Sequence, residues 1–251
     1  MIIFKSAEEI ERMRRAGRIV ASTIDRLVET VRPGVTTADL DKLAEKIIRG
    51  EGAVPSFKGY RGFPATICTS LNEQVVHGIP GWRRLEADDI VSLDVGAIWE
   101  GYHADSAVTL FADGVPSDVA ERLVRVTEES LDAGISMLQA GLRLGDVGSA
   151  VQRVVEAAGF SVVREYAGHG VGRALHEDPQ VPNYGDPGRG LQIKPGMVVA
   201  IEPMVNVGDW RTRVLADKWT VVTADGSLSA HFEHTIAVTD DGPEVLTARS
   251  S

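Results

Sequence analysis

The 251-residue sequence has a single cysteine, Cys68, so no intrachain disulfide can form, which suits a reducing compartment. No apolar run approaches the ~20 residues that a membrane span needs. The opening Met1-Ile2-Ile3-Phe4-Lys5 leads straight into charged residues, unlike a secretory leader. A soluble cytoplasmic chain is the expectation. Positive charge is also scarce, since 26 Lys+Arg stand against 36 Asp+Glu, a formal net charge of -10. That deficit removes any general attraction to phosphate backbones or anionic lipid. It argues against a dedicated nucleic-acid or membrane-surface module and favours small substrates or cationic partners. What is present, 43% hydrophobic and 25% charged residues, has the balance of an ordinary globular protein and excludes disorder and fibres.

Comparing the chain with itself reveals two halves. Val31-Arg32-Pro33-Gly34-Val35, followed by Asp39-Leu40, matches Leu138-Gln139-Ala140-Gly141-Leu142, followed by Asp146-Val147, at a constant offset of 146 − 39 = 107. Ile47-Ile48 and Gly52 keep the same offset from Val154-Val155 and Gly159. Each half therefore predicts a short helix that begins near an Asp and ends near a Gly. A longer helix precedes each one. In the first half its stripe is Ile10, Met13, Val20, Ile24, Leu27 and Val31, with Gly17 filling a step; in the second it is Val119, Leu123, Val126, Ala133 and Met137. Strand-like segments follow at 90–95, 107–111, 197–201 and 235–238. Helices then strands, twice, predict an α+β fold with antiparallel sheet and helices on one face. The halves run over about 4–112 and 113–248 within one domain, 1–251, and a site is expected in the cleft between them. His77-Gly78-Ile79 also reads as echoed by His169-Gly170-Val171.

Asp94 and Asp105 flank a segment with Trp99-Glu100-Gly101 near its middle. A hairpin folded about that turn places 94 and 105 opposite each other, where two ionised carboxylates repel. Either they share a proton or a cation lies between them. Glu202 ends an apolar strand and Glu233 stands at the mouth of another, with no lysine or arginine beside either in sequence. Carboxylates joined to such strands are costly to bury unless something positive meets them. His169 lies between Gly168 and Gly170, which lets backbone come close to a ligand. A phosphate loop at 168–172 is a poor rival, because no Lys-Ser or Lys-Thr pair follows. Asp94, Asp105, His169, Glu202 and Glu233 together form an oxygen-rich set with one nitrogen. It suits manganese, iron(II), cobalt or zinc and is large enough for two ions; satisfied structural carboxylates are the alternative.

At these residues the chain resembles the methionine aminopeptidases of the short bacterial type. The most specific stretch is 166–179, Tyr166-Ala167-Gly168-His169-Gly170-Val171-Gly172-Arg173-Ala174-Leu175-His176-Glu177-Asp178-Pro179. Asn72 to Pro80, Asp94-Val95-Gly96, Ile201-Glu202-Pro203 and Glu233-His234-Thr235 also match. The resemblance implies the two-halved pita-bread fold with a dinuclear metal centre. On that resemblance Asp94 would chelate one ion, His169 and Glu202 would bind the other, and Asp105 and Glu233 would bridge. The resemblance also implies a hydroxide between the ions as nucleophile, with Glu202 as the candidate general base or proton shuttle. His77 and His176 contact the substrate backbone, and Tyr60, Phe63, Cys68 and Trp219 line the methionine pocket. Phe63 and Leu175 stand where the family commonly has tyrosine and phenylalanine. The substrate implied is the N-terminal methionine of nascent polypeptides with a small second residue. The expectation is a cytoplasmic monomer that also meets the ribosome and binds neither membrane nor sequence-specific nucleic acid. The competing readings are an Xaa-Pro aminopeptidase or prolidase and a metal-free pita-bread binding protein. From the residues alone, Tyr60, Phe63 and Trp219 are equally read as core aromatics and Cys68 as a small buried hydrophobe. His103, His231 and His234 read as structural or surface residues.

Overall fold

The computed structural model describes residues 2–114 and 116–249; Met1 and the ends of the 1–251 domain span lie outside them. The first half opens with α1 (Ala7–Val28) and α2 (Thr37–Gly50). β1 (Val54–Pro55), a 3-10 turn at Tyr60–Gly62, β2 (Ile67–Leu71), β3 (Gln74–Val76), β4 (Ile90–Trp99) and β5 (Tyr102–Phe111) follow. The second half opens with α3 (Asp118–Ser136) and α4 (Leu144–Ala157). After them come β6 (Ser161–Val162), β7 (Gly168–Gly170), β8 (Glu177–Val181), β9 (Val198–Ile201) and β10 (Met204–Asn206). The chain closes with β11 (Thr212–Val214), β12 (Val221–Thr223), β13 (Ser229–His231), β14 (His234–Thr239) and β15 (Gly242–Val245). Ladders pair antiparallel throughout: β4 binds β1, β2 and β5, while β15-β14-β9-β7-β8 form a second sheet. Two smaller sheets, β13-β10-β6 and β11-β12-β3, complete the α+β architecture.

The duplication is visible in the backbone. Asp39 and Asp146 each accept a hydrogen bond from the backbone N–H three residues earlier, at Thr36 and Arg143, and so close the helix starts. Gly34 and Gly141, and likewise Gly52 and Gly159, take positive φ at matching turns. In α1 the buried stripe is as expected, and a Cβ at Gly17 would lie 2.1 Å from the Leu246 carbonyl oxygen, so the glycine admits the C-terminal strap. In α3 the expected face is displaced. Val119 is 38% exposed, and the buried face runs through Ala120, Leu123, Val126, Thr127, Ser130, Leu131 and Gly134. The hydroxyls can enter it because Thr127 donates to the Leu123 carbonyl and Ser130 to the Thr127 carbonyl, both at 2.7 Å.

The β4–β5 hairpin exists, but its register differs from the sequence expectation. Asp105 lies opposite Gly96 and Asp94 opposite Ala107, because the tight turn is centred on Glu100 and Gly101, both with positive φ, rather than on Trp99-Glu100-Gly101. A shift of two residues keeps both carboxylates on one face and makes them diagonal neighbours. The supposed echo of His77 by His169 also fails. His77 follows β3, which pairs β12, with its own backbone at φ 60, whereas His169 lies within β7 between β8 and β9.

A polar seam joins the two large sheets. Ala107 and Glu233 exchange backbone hydrogen bonds at 3.2 and 2.9 Å. Thr235 Oγ1 accepts from the Asp105 N–H at 3.0 Å and contacts the Asp105 carbonyl and carboxylate oxygens at 2.8 and 3.0 Å. Ser106 donates to the Glu233 carbonyl at 2.6 Å. The strands that carry the carboxylates are thus pinned to one another by the residues that flank those carboxylates.

Candidate metal centre and substrate cleft

Every site residue named from the sequence lines one cleft. Asp94, Asp105, His169, Glu202 and Glu233 form one end; Tyr60, Phe63, Cys68 and Trp219 form the other, with His77 and His176 also on its wall. Phe57, Arg61 and Leu175 join them. The acidic end has a tight inner group, since ligand atoms of Asp105, His169 and Glu233 all lie within 4.8 Å of one another and all three residues are buried. His169 Nε2 is 3.6 Å from Asp105 Oδ2 and 3.5 Å from Glu202 Oε1. Its Nδ1 faces the Gly170 carbonyl at 3.0 Å, which leaves Nε2 for the carboxylates.

Burial pushes all four carboxyls up: Asp105 to about 6, and Asp94, Glu202 and Glu233 well above their ordinary range, these three raised further by the charge of Asp105. Burial lowers His169 to about 4, so the ring is neutral and its lone pair available. Among the described residues none of the four carboxylates pairs with a lysine or arginine, and Asp94 Oδ1 is buried without a hydrogen-bond partner. A divalent cation fits this set, because it meets the orphaned oxygen and supplies the counter-charge that lets buried carboxyls ionise.

The glycines around His169 serve a different purpose from the one expected. A Cβ at Gly168 would lie 2.3 Å from the Ala200 carbonyl oxygen, and one at Gly170 would lie 2.2 Å from that of Asp178. They let β7 pack tightly between its neighbours rather than admit a ligand. His77 is positioned by its left-handed backbone and by Gly78, whose N–H donates to Ser70 Oγ and whose carbonyl accepts from Thr69. Its ring meets Trp219 edge-on at 6.3 Å and Tyr166 at 5.9 Å.

The other end is apolar. Phe57, Phe63, Ala65, Cys68 and Leu175 form a buried cluster on which Tyr60, Ile79 and Trp219 pack. Phe63 and Trp219 meet edge to face at 5.1 Å, and His176 stacks on Tyr60 at 5.3 Å with its centroid 4.0 Å from that of His169. Cys68 lies directly opposite Asp94 in the β2–β4 ladder, and burial holds its thiol well above the usual range, so it stays protonated beside that carboxylate.

His231, read from the sequence as structural or surface, is buried close to the carboxylate centre. His231 Nε2 has no hydrogen-bond partner and stands 4.0 Å from Glu202 Oε2. The signal was its place two residues before Glu233, where an extended chain puts both side chains on one side. His103 and His234 instead bond Ser56 and Thr247 through Nδ1, at 3.0 and 2.8 Å, in structural contacts.

Residues 11–240 match the model of metallopeptidase family M24. The chain belongs to that family. Among its M24 relatives, the methionine aminopeptidase of Clostridium perfringens is 54% identical over 247 residues, covering 98% of this chain and 99% of the relative. Methionine aminopeptidase 1 of Bacillus subtilis is 55% identical over 247 residues with the same coverage. The crystal structure of methionine aminopeptidase from Thermotoga maritima superposes with a TM-score of 0.97 at 48% identity, covering 99% of this chain and all of that one. A prolidase from Pyrococcus furiosus shares the pita-bread fold at a TM-score of 0.80 and 22% identity, with 99% of this chain aligned to 66% of that one. As an M24 metallopeptidase, the chain is a divalent-metal hydrolase of the pita-bread fold. No helix among its described residues is long and apolar enough to cross a membrane.

Proposed function

We propose that this chain removes the N-terminal methionine from newly made polypeptides whose second residue is small. The observation that carries the reading is the continuity of the cleft, whose apolar pocket and carboxylate centre abut at the Cys68–Asp94 pair. A substrate amine held at the carboxylate end leaves its first side chain beside Phe63, Cys68 and Trp219. That arrangement suits an exopeptidase selective for an apolar first residue. Relatives at 54 and 55% identity that carry the methionine aminopeptidase name support the choice.

Asp94, Asp105, His169, Glu202 and Glu233 would hold two divalent ions. When bound, such ions activate water at neutral pH and polarise the scissile carbonyl. The donor set accepts manganese, iron(II), cobalt or zinc, and availability chooses among them. Glu202, open in part to the cleft, takes a proton from the attacking water and passes it to the leaving amine. His176, kept neutral because burial lowers it to about 4, donates a hydrogen bond to the oxygen that gains charge. His77, lowered to about 4 by burial as well, orients the amide beyond the scissile bond. The same reading places the protein in the cytoplasm, as a monomer working on chains that emerge from the ribosome.

Hydrolysis of Met-Ala-Ser by protein loaded with manganese, iron(II) or cobalt tests it, with an Xaa-Pro peptide as competitor. Release of free methionine is the expected result. Folded, metal-loaded protein that releases none, or that prefers Xaa-Pro, overturns it.

A further inference from the structure

The loop that carries His176 is tied to the opposite end of the chain. Residues 171–176 connect β7 to β8, and at the foot of this loop Lys5 Nζ donates to Glu177 Oε2 at 2.6 Å. Both side chains are withdrawn from solvent, 3% and 9% exposed. Lys5 Nζ also donates to the Ile3 carbonyl at 2.9 Å, and its own N–H binds the Gly196 carbonyl at 2.7 Å. The second carboxylate oxygen of Glu177 accepts from the Ala174 N–H at 3.1 Å and so draws the loop back on itself. Gly172 makes room for the pair, because a Cβ there would lie 2.5 Å from Glu177 Oε1 and 2.6 Å from Lys5 Cε. From the other side, the Gly172 carbonyl accepts from the His103 N–H at 2.8 Å, two residues from Asp105.

A buried ammonium–carboxylate pair adds little net stability, since desolvation offsets its attraction; what such a pair can supply is a defined geometry. Glu177 directly follows His176, so fixing its carboxylate fixes the backbone from which the imidazole projects toward Tyr60 and His169. We propose that Lys5 and Glu177 are positioning residues for His176, a buried clamp through which the N-terminal segment holds the loop in its working conformation. The inference rests on the role given to His176 above. Without the clamp the methionine side chain keeps Phe63, Cys68 and Trp219 and loses firm contact only with Leu175 on the same loop, so KM rises little, while the imidazole no longer waits where charge develops and kcat falls.

The test uses the full chain as wild type, Lys5→Met, Lys5→Arg and the double variant Lys5→Met with Glu177→Gln. Two measurements are made: Met-Ala-Ser hydrolysis by manganese-loaded protein, and hydrogen exchange of the metal-free protein across 171–177. Lys5→Met is expected to lower kcat about 10- to 100-fold with KM within about threefold. Its loop amides exchange about tenfold faster while those of β9 are unchanged. Lys5→Arg restores most of both. The double variant, freed of an unpaired buried charge, melts near the wild type yet keeps the low kcat and the fast exchange. Unchanged kcat in Lys5→Met, with or without faster exchange, overturns the proposal. So does a double variant with full kcat, which would mean that the pair serves stability alone. A wild type that cleaves no methionyl peptide overturns the reading of function instead, and slow loop exchange in Lys5→Met then overturns the clamp independently.

Discussion

Two ladders meet at the polar seam and line the cleft together, each carrying two carboxylates but otherwise equipped differently. In the first half β2-β4-β5 presents Cys68, Asp94 and Asp105; in the second β7-β9-β14 presents His169, with Glu202 and Glu233 just beyond the ends of the paired β9 and β14. Each ladder supplies two carboxylates. The difference lies at the third position, where the first half has a protonated thiol and the second a neutral imidazole. The carboxylates are alike in number but the registers are not: Cys68 sits directly opposite Asp94, whereas β7 meets β9 at Gly170 and Val199, so His169 is not set opposite Glu202. The polar seam at Asp105–Thr235 and Ala107–Glu233 keeps the two ladders in register with each other.

The sharpest way to break this comparison is to remove its nitrogen. His169→Ala is expected to lower kcat/KM at least about 1,000-fold, roughly 4 kcal/mol of transition-state stabilisation, with the metal content after dialysis falling alongside. Metal content and activity that both survive would dissolve the distinction between the halves.

A second test uses pH. Burial raises Asp105 from the ordinary 3.8 to about 6 and raises the other three carboxyls. In the metal-free protein the folded state therefore holds these protons more tightly than the unfolded chain, and stability is lost as pH climbs from about 4 through about 6. Bound metal displaces the protons and cancels that loss. The buried histidines run the other way, losing stability as pH falls below their ordinary 6.5, but those outside the centre do so with or without metal. The gap in thermal midpoint between manganese-loaded and chelator-treated protein should accordingly widen from pH 5 to pH 7. A gap independent of pH contradicts the assigned carboxylates.

Thr235→Val probes the seam. It removes a hydroxyl that serves both the backbone and the carboxylate of Asp105, so unfolding should become easier by about 1–2 kcal/mol in a denaturant titration. No measurable loss would mean that the Thr235 hydroxyl contributes nothing to the seam and that the Ala107–Glu233 and Ser106–Glu233 hydrogen bonds suffice.

The smallest effect is expected at the counterpart of the imidazole. Cys68→Ala leaves the carboxylates in place and only deepens the apolar floor, so KM for a methionyl peptide should rise about two- to fivefold with metal content unchanged. Loss of metal from this variant would show that the thiol belongs to the centre after all.

Much of this was legible before folding. The offset of 107 located the paired turns because glycine and capping aspartate are demanded by backbone geometry that recurs in both halves. The five donors were legible as carboxylates and a histidine lodged in apolar strands, where burial needs a counter-charge. What could not be read was anything that depends on register or on distant approach. The hairpin slipped by two residues because the centre of its turn depends on Glu100 taking positive φ, a conformation its residue type does not announce. The glycines beside His169 were assigned to a ligand when neighbouring strands require them, since sequence does not say what comes near. The approach of His231 to Glu202 could not be read either, because it joins residues of different segments of the chain.

By itself, then, the sequence determined the chemistry available: which donors exist, in what order, and on which helices, strands and turns they are carried, all set by local propensity, capping and periodicity. Only the tertiary structure decided how those groups meet. Cys68 is set against Asp94, the ladders are stitched by Thr235 and Ser106, and Lys5 reaches Glu177 across the whole chain. Such meetings depend on strand register and on the shared burial of groups far apart in sequence, and neither is encoded in any one segment.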